Sequence, residues 1–138
     1  MDLVSASINI HIYAIIFLLI IISYNLYSVI SIDNFFFLHK RLKRMTPLFH
    51  FANAVVAYTG GIVSAFKHTL SLMVILMIIG TIVVMVLEIK RYKKMRVIKL
   101  SQTELQTEFR KFAKKIYIID IIMLVIIFII SFFFRVYY

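Results

Sequence analysis

Two histidines in otherwise apolar surroundings have the chemistry to hold a metal or a haem. His11 lies near the start of a long uncharged stretch, and His68 lies in a short polar turn between two further stretches. Met73 and Met77 follow His68 and share one helix face with each other. Neutral imidazole is a good ligand for haem iron and copper, and thioether sulfur suits copper. If the first and third apolar segments are neighbours, His11 and His68 are expected to meet at similar depth, with Met73 and Met77 added in a copper site.

Three ionisable side chains form a second candidate group. His50, Glu88 and Asp120 each lie within an apolar stretch or at its edge. Carboxyl and imidazole groups inside a membrane are costly and commonly serve as proton relays. The group therefore predicts a proton or electron–proton relay. The alternative is structural: Asp120 pairs with a Lys or Arg from the clusters at 40–44 or 90–96, because an unpaired buried carboxylate is expensive.

Small and polar residues also recur along one side of the second apolar stretch. Small residues allow helices to approach closely, and Asn or His can hydrogen-bond across such a contact. The pattern predicts a packing seam formed by His50, Asn53, Ala57, Gly60 and Ser64.

The composition identifies the class of protein and excludes several functions. Of the 138 residues, 63% are hydrophobic and 16% are charged, against about 45–50% and about 25% in ordinary soluble domains. This excess indicates a membrane protein. The absence of cysteine excludes disulfide scaffolds, zinc–cysteine sites, iron–sulfur clusters and thiol nucleophiles. The common hydrolase and nucleotide-binding motifs are also missing from the sequence.

The uncharged intervals predict a single all-α domain over residues 1–138, an integral membrane bundle of four transmembrane helices. A bilayer core about 30 Å thick needs about 20 apolar helical residues. The predicted spans are residues 8–32, 48–66, 70–88 and 116–134. Pro47 is expected in the first turn of the second span. A capping box at 101–104 predicts a helix from near Gln102, whose amphipathic part at 102–115 carries Leu105, Phe109 and Phe112 on one face and continues into the fourth span.

Basic residues then predict the orientation. Fourteen of the 16 Lys and Arg residues lie between spans one and two or between spans three and four. The positive-inside rule places these connections in the cytoplasm and both termini on the outer side, in what we expect to be a bacterial cytoplasmic (inner) membrane. The net charge of +10 then reflects contact with anionic inner-leaflet lipids, so no nucleic-acid partner is predicted.

Several short segments resemble a known family. They are the histidine segment at 10–15, the basic Thr-Pro stretch at 39–47, the glycine pair at 60–61, the Leu-Ser-Leu element at 70–72 and the Phe-Arg element at 109–114. These segments are similar to parts of HemJ-type protoporphyrinogen IX oxidases and the related CopD-like small membrane proteins. The resemblance implies a bundle that binds haem b, with His11 as a ligand and Arg41 near the substrate. It also implies an oxidoreductase that takes hydrogen from a porphyrinogen and passes electrons to a quinone.

The residues are also consistent with two other functions. One is a non-enzymatic assembly or interaction protein, in a homo-oligomer or a larger membrane complex, held by the small-residue face of span two. The other is copper handling through His11, His68, Met73 and Met77.

Overall fold

The computed structural model of the chain is all-helical over the residues it describes. These are residues 3–67, 72–99 and 101–137, without the side chains of residues 4, 66, 67, 73 and 134–137. The helices are α1 (Leu3–Ser31), α2 (Phe35–Lys67), α3 (Leu72–Arg96) and α4 (Thr103–Tyr137). The described ranges contain no strand, so the predicted all-α class is confirmed.

Three of the helices are long and apolar enough to cross a membrane. The segments are Ser5–Ser31 in α1, Phe35–Ala65 in α2 and Thr103–Phe133 in α4. Large apolar side chains cover their outward faces, including Phe17, Ile20, Ile126 and Ile129, which is what contact with lipid requires. The span predicted at 70–88 begins outside the described residues and stays a prediction, as does the orientation of the termini.

The four helices form a ring in which each contacts the next along the chain. Helix α1 packs against α2 and α4, and α3 packs against the same two helices. Short connections make sequential helices antiparallel. Helices α1 and α3 therefore lie diagonally, so the neighbouring arrangement on which the predicted meeting of His11 and His68 depends is not formed by the described residues. His68 itself lies outside them.

Helix α2 starts well before the predicted second span because its basic residues are helical as well. The side-chain oxygen of Asn34 accepts a hydrogen bond from the backbone N–H of Phe36 at 2.9 Å and caps the first turn. Pro47 lies inside α2, so the expectation that it opens the helix is wrong. Just before it, the Thr46 hydroxyl donates to the carbonyl oxygen of Leu42 at 2.9 Å.

Helix α4 begins one residue after the predicted start and runs unbroken through the amphipathic part into the apolar part. Glutamines hold this end: the Lys99 N–H donates to Gln102 Oε1 at 2.9 Å, and Gln106 Nε2 donates to the Lys99 carbonyl at 3.1 Å. Phe109 is fully buried, as expected for the apolar face, and its ring meets that of Phe35 edge-on at 5.9 Å. Leu105 is 40% exposed.

Arg110 closes the end of the bundle where α1 turns into α2. Its guanidinium donates to the backbone carbonyls of Val29, Ile32 and Asp33 at 3.1, 2.6 and 2.8 Å. The last carbonyls of a helix have no intrahelical partner and carry partial negative charge. Arg110 therefore supplies hydrogen-bond donors to the carbonyl groups at the end of α1 and links α4 to that end.

Replacing Arg110 by Ala should lower the free energy of unfolding by about 2 kcal/mol, because several charge-assisted hydrogen bonds are lost together. Thermal unfolding followed by circular dichroism in detergent micelles measures the effect. The matched control is Lys111→Ala, which removes an exposed cation from the same turn and should leave the unfolding curve unchanged. Equal stability of the two variants would contradict this role for Arg110.

Candidate functional site

A buried ion pair lies at the centre of the polar residues in the bundle. Glu88 and Arg91 of α3 are both fully buried. Glu88 Oε1 accepts from Arg91 Nη2 at 2.6 Å and from Arg91 Nε at 3.0 Å. Residues spaced i, i+3 share a helix face, so both side chains point into the same part of the interior.

The remaining guanidinium contacts come from three helices. Arg91 Nη2 also donates to Thr46 Oγ1 of α2 at 2.9 Å, and Nη1 lies 3.4 Å from the sulfur of Met95. The guanidinium carbon is 6.0 Å from the ring centre of Tyr117 on α4. Arginine is not deprotonated in proteins, and Glu88 supplies the opposite charge beside it. Arg91 therefore stays charged inside the protein.

Several oxygen atoms around this pair have no hydrogen-bond partner. Among the described residues they are Glu88 Oε2, the Tyr117 hydroxyl and both carboxyl oxygens of Asp120. Asp120 is fully buried and interacts electrostatically with Glu88. Its expected pairing with a Lys or Arg is not formed within the described residues, because the nearby guanidinium is engaged by Glu88.

Asn25 of α1 is a further buried polar residue at about the same depth as these groups. The hydrogen bond from Arg110 to the carbonyl of Ile32 places these two residues at the same level on α4 and α1. Asn25 lies seven residues before Ile32, and Tyr117 lies seven residues after Arg110. Because α1 and α4 are antiparallel, Asn25 and Tyr117 lie at about the same level. Asn25 is 1% exposed, and its amide oxygen and nitrogen form no hydrogen bond with the described residues. We call Asn25, Glu88, Arg91, Tyr117 and Asp120 the inner polar cluster.

The three residues of the predicted relay lie at similar depth on three helices. Two contacts fix the depth of α2 against α3: Thr46 accepts from Arg91, and the Asn53 amide donates to the carbonyl of Thr81 at 3.3 Å. His50 lies between Thr46 and Asn53 on α2. Glu88 lies between Arg91 and Thr81 on α3, and Asp120 is one turn beyond Tyr117. His50 is half-buried with its ring edge-on to Phe49 at 5.8 Å. Glu88 and Asp120 are thus brought together, with His50 level with them on α2.

His11 lies in a second polar layer, about 21 Å from Asn25 along α1 by the helical rise. Its Nδ1 is 2.8 Å from Thr59 Oγ1 of α2. The Thr59 hydroxyl also lies 2.8 and 3.1 Å from the carbonyl oxygens of Val55 and Val56, and the tautomer of His11 decides whether Nδ1 donates to Thr59 or accepts from it. The other ring nitrogen, Nε2, is buried without a partner among the described residues.

Gly60 provides the space for this imidazole. A Cβ atom at Gly60 would lie 3.0 Å from His11 Cε1, whereas one at Gly61 would have nothing within 4 Å. His11 therefore points into the bundle, against the backbone of α2. Thr59 orients the ring, as a hydrogen-bond partner does for metal-ligating histidines. Because the ring lies against the backbone of α2 and Nε2 is buried, haem binding at His11 would require α1 and α2 to separate.

The other predicted ligands are only partly described. Met77 is half-buried on α3, while His68 and the side chain of Met73 lie outside the described residues. Within those residues no group of three His, Cys, Asp or Glu side chains could hold a metal ion. The copper site and the two-histidine haem site therefore stay predictions.

The buried side of α2 differs from the predicted packing seam. Asn53 and Gly60 do face neighbouring helices, but Ala57 is exposed. Phe49, Ala52, Val56 and Thr59 are buried instead. They keep the predicted alternation of three and four residues, but each lies one position earlier, so the buried face of α2 is rotated from the predicted one. Including Ala57 in the seam was therefore wrong.

Arg41, which the family resemblance places near a substrate, is half-buried. Its guanidinium carbon lies 5.5 Å from the centre of the Tyr24 ring on α1. This cation–π contact joins α1 and α2 near their connection.

Sequence reasoning missed Arg91, Tyr117 and Thr59. Arg91 was counted with the basic connections, although its i, i+3 spacing from Glu88 could have indicated an ion pair. Tyr117 has the same spacing from Asp120. Nothing in the sequence distinguishes Thr59 from other apolar-helix threonines, because its role depends on the register between α1 and α2.

The substitution Gly60→Leu should push α1 away from α2 and break the His11–Thr59 contact, because its side chain would collide with the His11 ring. The free energy of unfolding should fall by about 1–3 kcal/mol. Gly61→Leu is the matched control, because its side chain enters open space. Thermal unfolding in detergent compares the two, and nitrogen NMR of the imidazole reports the tautomer of His11. Equal stability with an unchanged His11 spectrum in both variants would contradict the packing described.

Compared with known proteins, the chain matches no family model, no curated protein and no solved structure.

Proposed function

We propose that this protein is a proton-handling integral membrane protein in which Glu88 and Asp120 bind and release one proton inside the helical bundle. The observation that carries the proposal is the second carboxyl group: Asp120 is fully buried, lies beside the Glu88–Arg91 pair, and has no hydrogen-bond partner among the described residues. Ionisable side chains of this kind inside a membrane protein usually serve a function.

The charge balance of the inner polar cluster supports a single proton. Arg91 supplies one positive charge, and two ionised carboxyl groups would supply two negative charges. The resulting net negative charge would lie in apolar surroundings, where the effective cost of an uncompensated ion is several kcal/mol. One proton on the carboxyl pair makes the cluster neutral. Its gain and loss are therefore coupled to a change of charge within the bundle.

The unpartnered atoms supply a means of proton exchange. Internal water makes about three hydrogen bonds, to buried polar groups that otherwise lack partners. Glu88 Oε2, the Tyr117 hydroxyl, the Asp120 carboxyl and the Asn25 amide are such groups. Water bound between them would connect the two carboxyl groups. His50, at the same depth on α2, is a candidate for exchange with the rest of the path.

The proposal is tested by proton flux in proteoliposomes that contain the purified protein and an internal pH dye, driven by a potassium gradient with valinomycin. The wild-type protein should acidify the lumen faster than protein-free vesicles do. Asp120→Asn should reduce the protein-dependent rate at least about tenfold, because the amide has nearly the same shape but cannot exchange the proton. Infrared spectroscopy should show a carboxylic-acid carbonyl band in the wild type that this variant lacks.

Asp33→Asn is the matched control, because Asp33 is an exposed carboxyl at the α1–α2 connection. It should conduct protons like the wild type. The proposal is contradicted if wild-type vesicles show no protein-dependent flux. It is also contradicted if a folded Asp120→Asn variant keeps both the flux and the carbonyl band.

A second candidate is haem binding, which the family resemblance also implies. The supporting observation is the unpartnered Nε2 of His11, whose ring is oriented by Thr59. Haem iron bound to this imidazole nitrogen would supply redox chemistry. Binding there requires α1 and α2 to separate at Gly60, where the ring now contacts the backbone. Copper handling and assembly with a partner protein stay predictions beside it.

The visible spectrum of protein purified in detergent from haem-supplied cells decides this candidate. A haem ligand at His11 predicts an intense Soret band that His11→Ala removes and His39→Ala keeps, since His39 lies at the opposite end of the bundle. A colourless wild-type protein, or a band unchanged by His11→Ala, would end the haem proposal.

A further inference from the structure

A cavity of about 670 Å³ opens at the basic end of the bundle, apart from both polar layers. Two elements form it: the first turns of α2 and the connection between α3 and α4. Its described lining combines basic and polar groups with apolar ones, namely Phe35, Phe36, His39, Lys40, Lys43, Ile98, Lys99 and Ser101.

The charge of the cavity is of one sign. Three lysines line it, and no Asp or Glu is among the described lining residues. Lys40, Lys43 and Lys99 are exposed, so their ammonium groups can move to meet a ligand. Lysine ammonium groups bind phosphate as point charges. The cavity therefore favours a ligand with a concentrated negative charge.

The walls of the cavity are held in place by buried contacts. Phe35 is 5% exposed, and its ring meets those of His39 and Phe109 edge-on at 6.0 and 5.9 Å. Ile98 is buried, and Gln102 and Gln106 bond the backbone of Lys99. The cavity is thus a feature of the packed structure, with basic groups mounted on an aromatic and aliphatic wall.

The apolar part of the lining indicates the kind of anion. Phe36 is 52% exposed and begins the apolar surface of the first turns of α2. Exposed aromatic rings of membrane proteins favour the level of the lipid headgroups, and basic pockets between helices bind anionic headgroups. A free inorganic anion would gain nothing from the exposed ring of Phe36. We propose that this cavity binds the phosphate headgroup of an anionic phospholipid, with the start of its acyl chains against Phe36.

The experiment measures binding of short-chain phosphatidylglycerol to the full-length protein in detergent by native mass spectrometry. Short-chain phosphatidylcholine and inorganic phosphate are the comparison probes. Removing three charges from the cavity should weaken phosphatidylglycerol binding at least about tenfold, because each lysine near an anionic headgroup contributes appreciably. The variant is Lys40→Gln combined with Lys43→Gln and Lys99→Gln.

A matched control removes the same charge from the same end of the bundle. Lys111, Lys114 and Lys115 line a shallow depression whose described walls all come from α4. Their triple Gln variant should change phosphatidylglycerol binding less than about twofold, since these lysines contribute only long-range attraction. Phe36→Ala should weaken phosphatidylglycerol binding and leave phosphate binding unchanged.

Three results would overturn the proposal. Equal losses in the two triple variants would mean diffuse attraction to a basic surface. Phosphate binding as tight as phosphatidylglycerol binding would mean a site for a free anion. Phosphatidylcholine binding as tight as phosphatidylglycerol binding would mean that charge is not recognised. Thermal unfolding of each variant confirms that the exposed substitutions leave the fold intact.

Discussion

Neutralising a guanidinium inside an apolar bundle is the constraint around which the half of this protein that holds the α1–α2 connection is arranged. Arg91 is fully buried and charged, so its donors must be satisfied within the protein. Glu88 satisfies two of them, and Thr46 brings α2 to the same point. The Arg91–Thr46 hydrogen bond thereby links α3 to α2 at this depth. The ion pair itself is weak evidence for net stability, because the cost of taking two charges out of water offsets much of their attraction.

Asp120 is a second carboxyl group beside an ion pair that is already neutral. One carboxylate is enough to neutralise Arg91, and a second beside it exceeds that need. The Asp120 carboxyl, one turn beyond Tyr117 on α4, belongs to a small polar region with apolar residues on both sides. His11 and Thr59 form the other polar layer, where α1 and α2 approach closely at Gly60.

Much of the fold could be predicted from the sequence, because long uncharged stretches have few structural solutions in a bilayer. The helices follow from that pattern. Which partner each polar side chain finds depends on register and on the ring order of the helices, which periodicity does not contain. Arg91 illustrates this: it belongs to a run of basic residues, yet it is buried while its neighbours Lys90 and Lys93 are exposed. Ala57 and Pro47 show the same limit, since tertiary contacts decided their environment.

The contact of Arg110 with the end of α1 has a consequence for biosynthesis. The three carbonyl groups that it bonds lie 77 to 81 residues earlier in the chain. During translation the α1–α2 hairpin is therefore made before its closing partner, and this contact forms only once α4 has been synthesised.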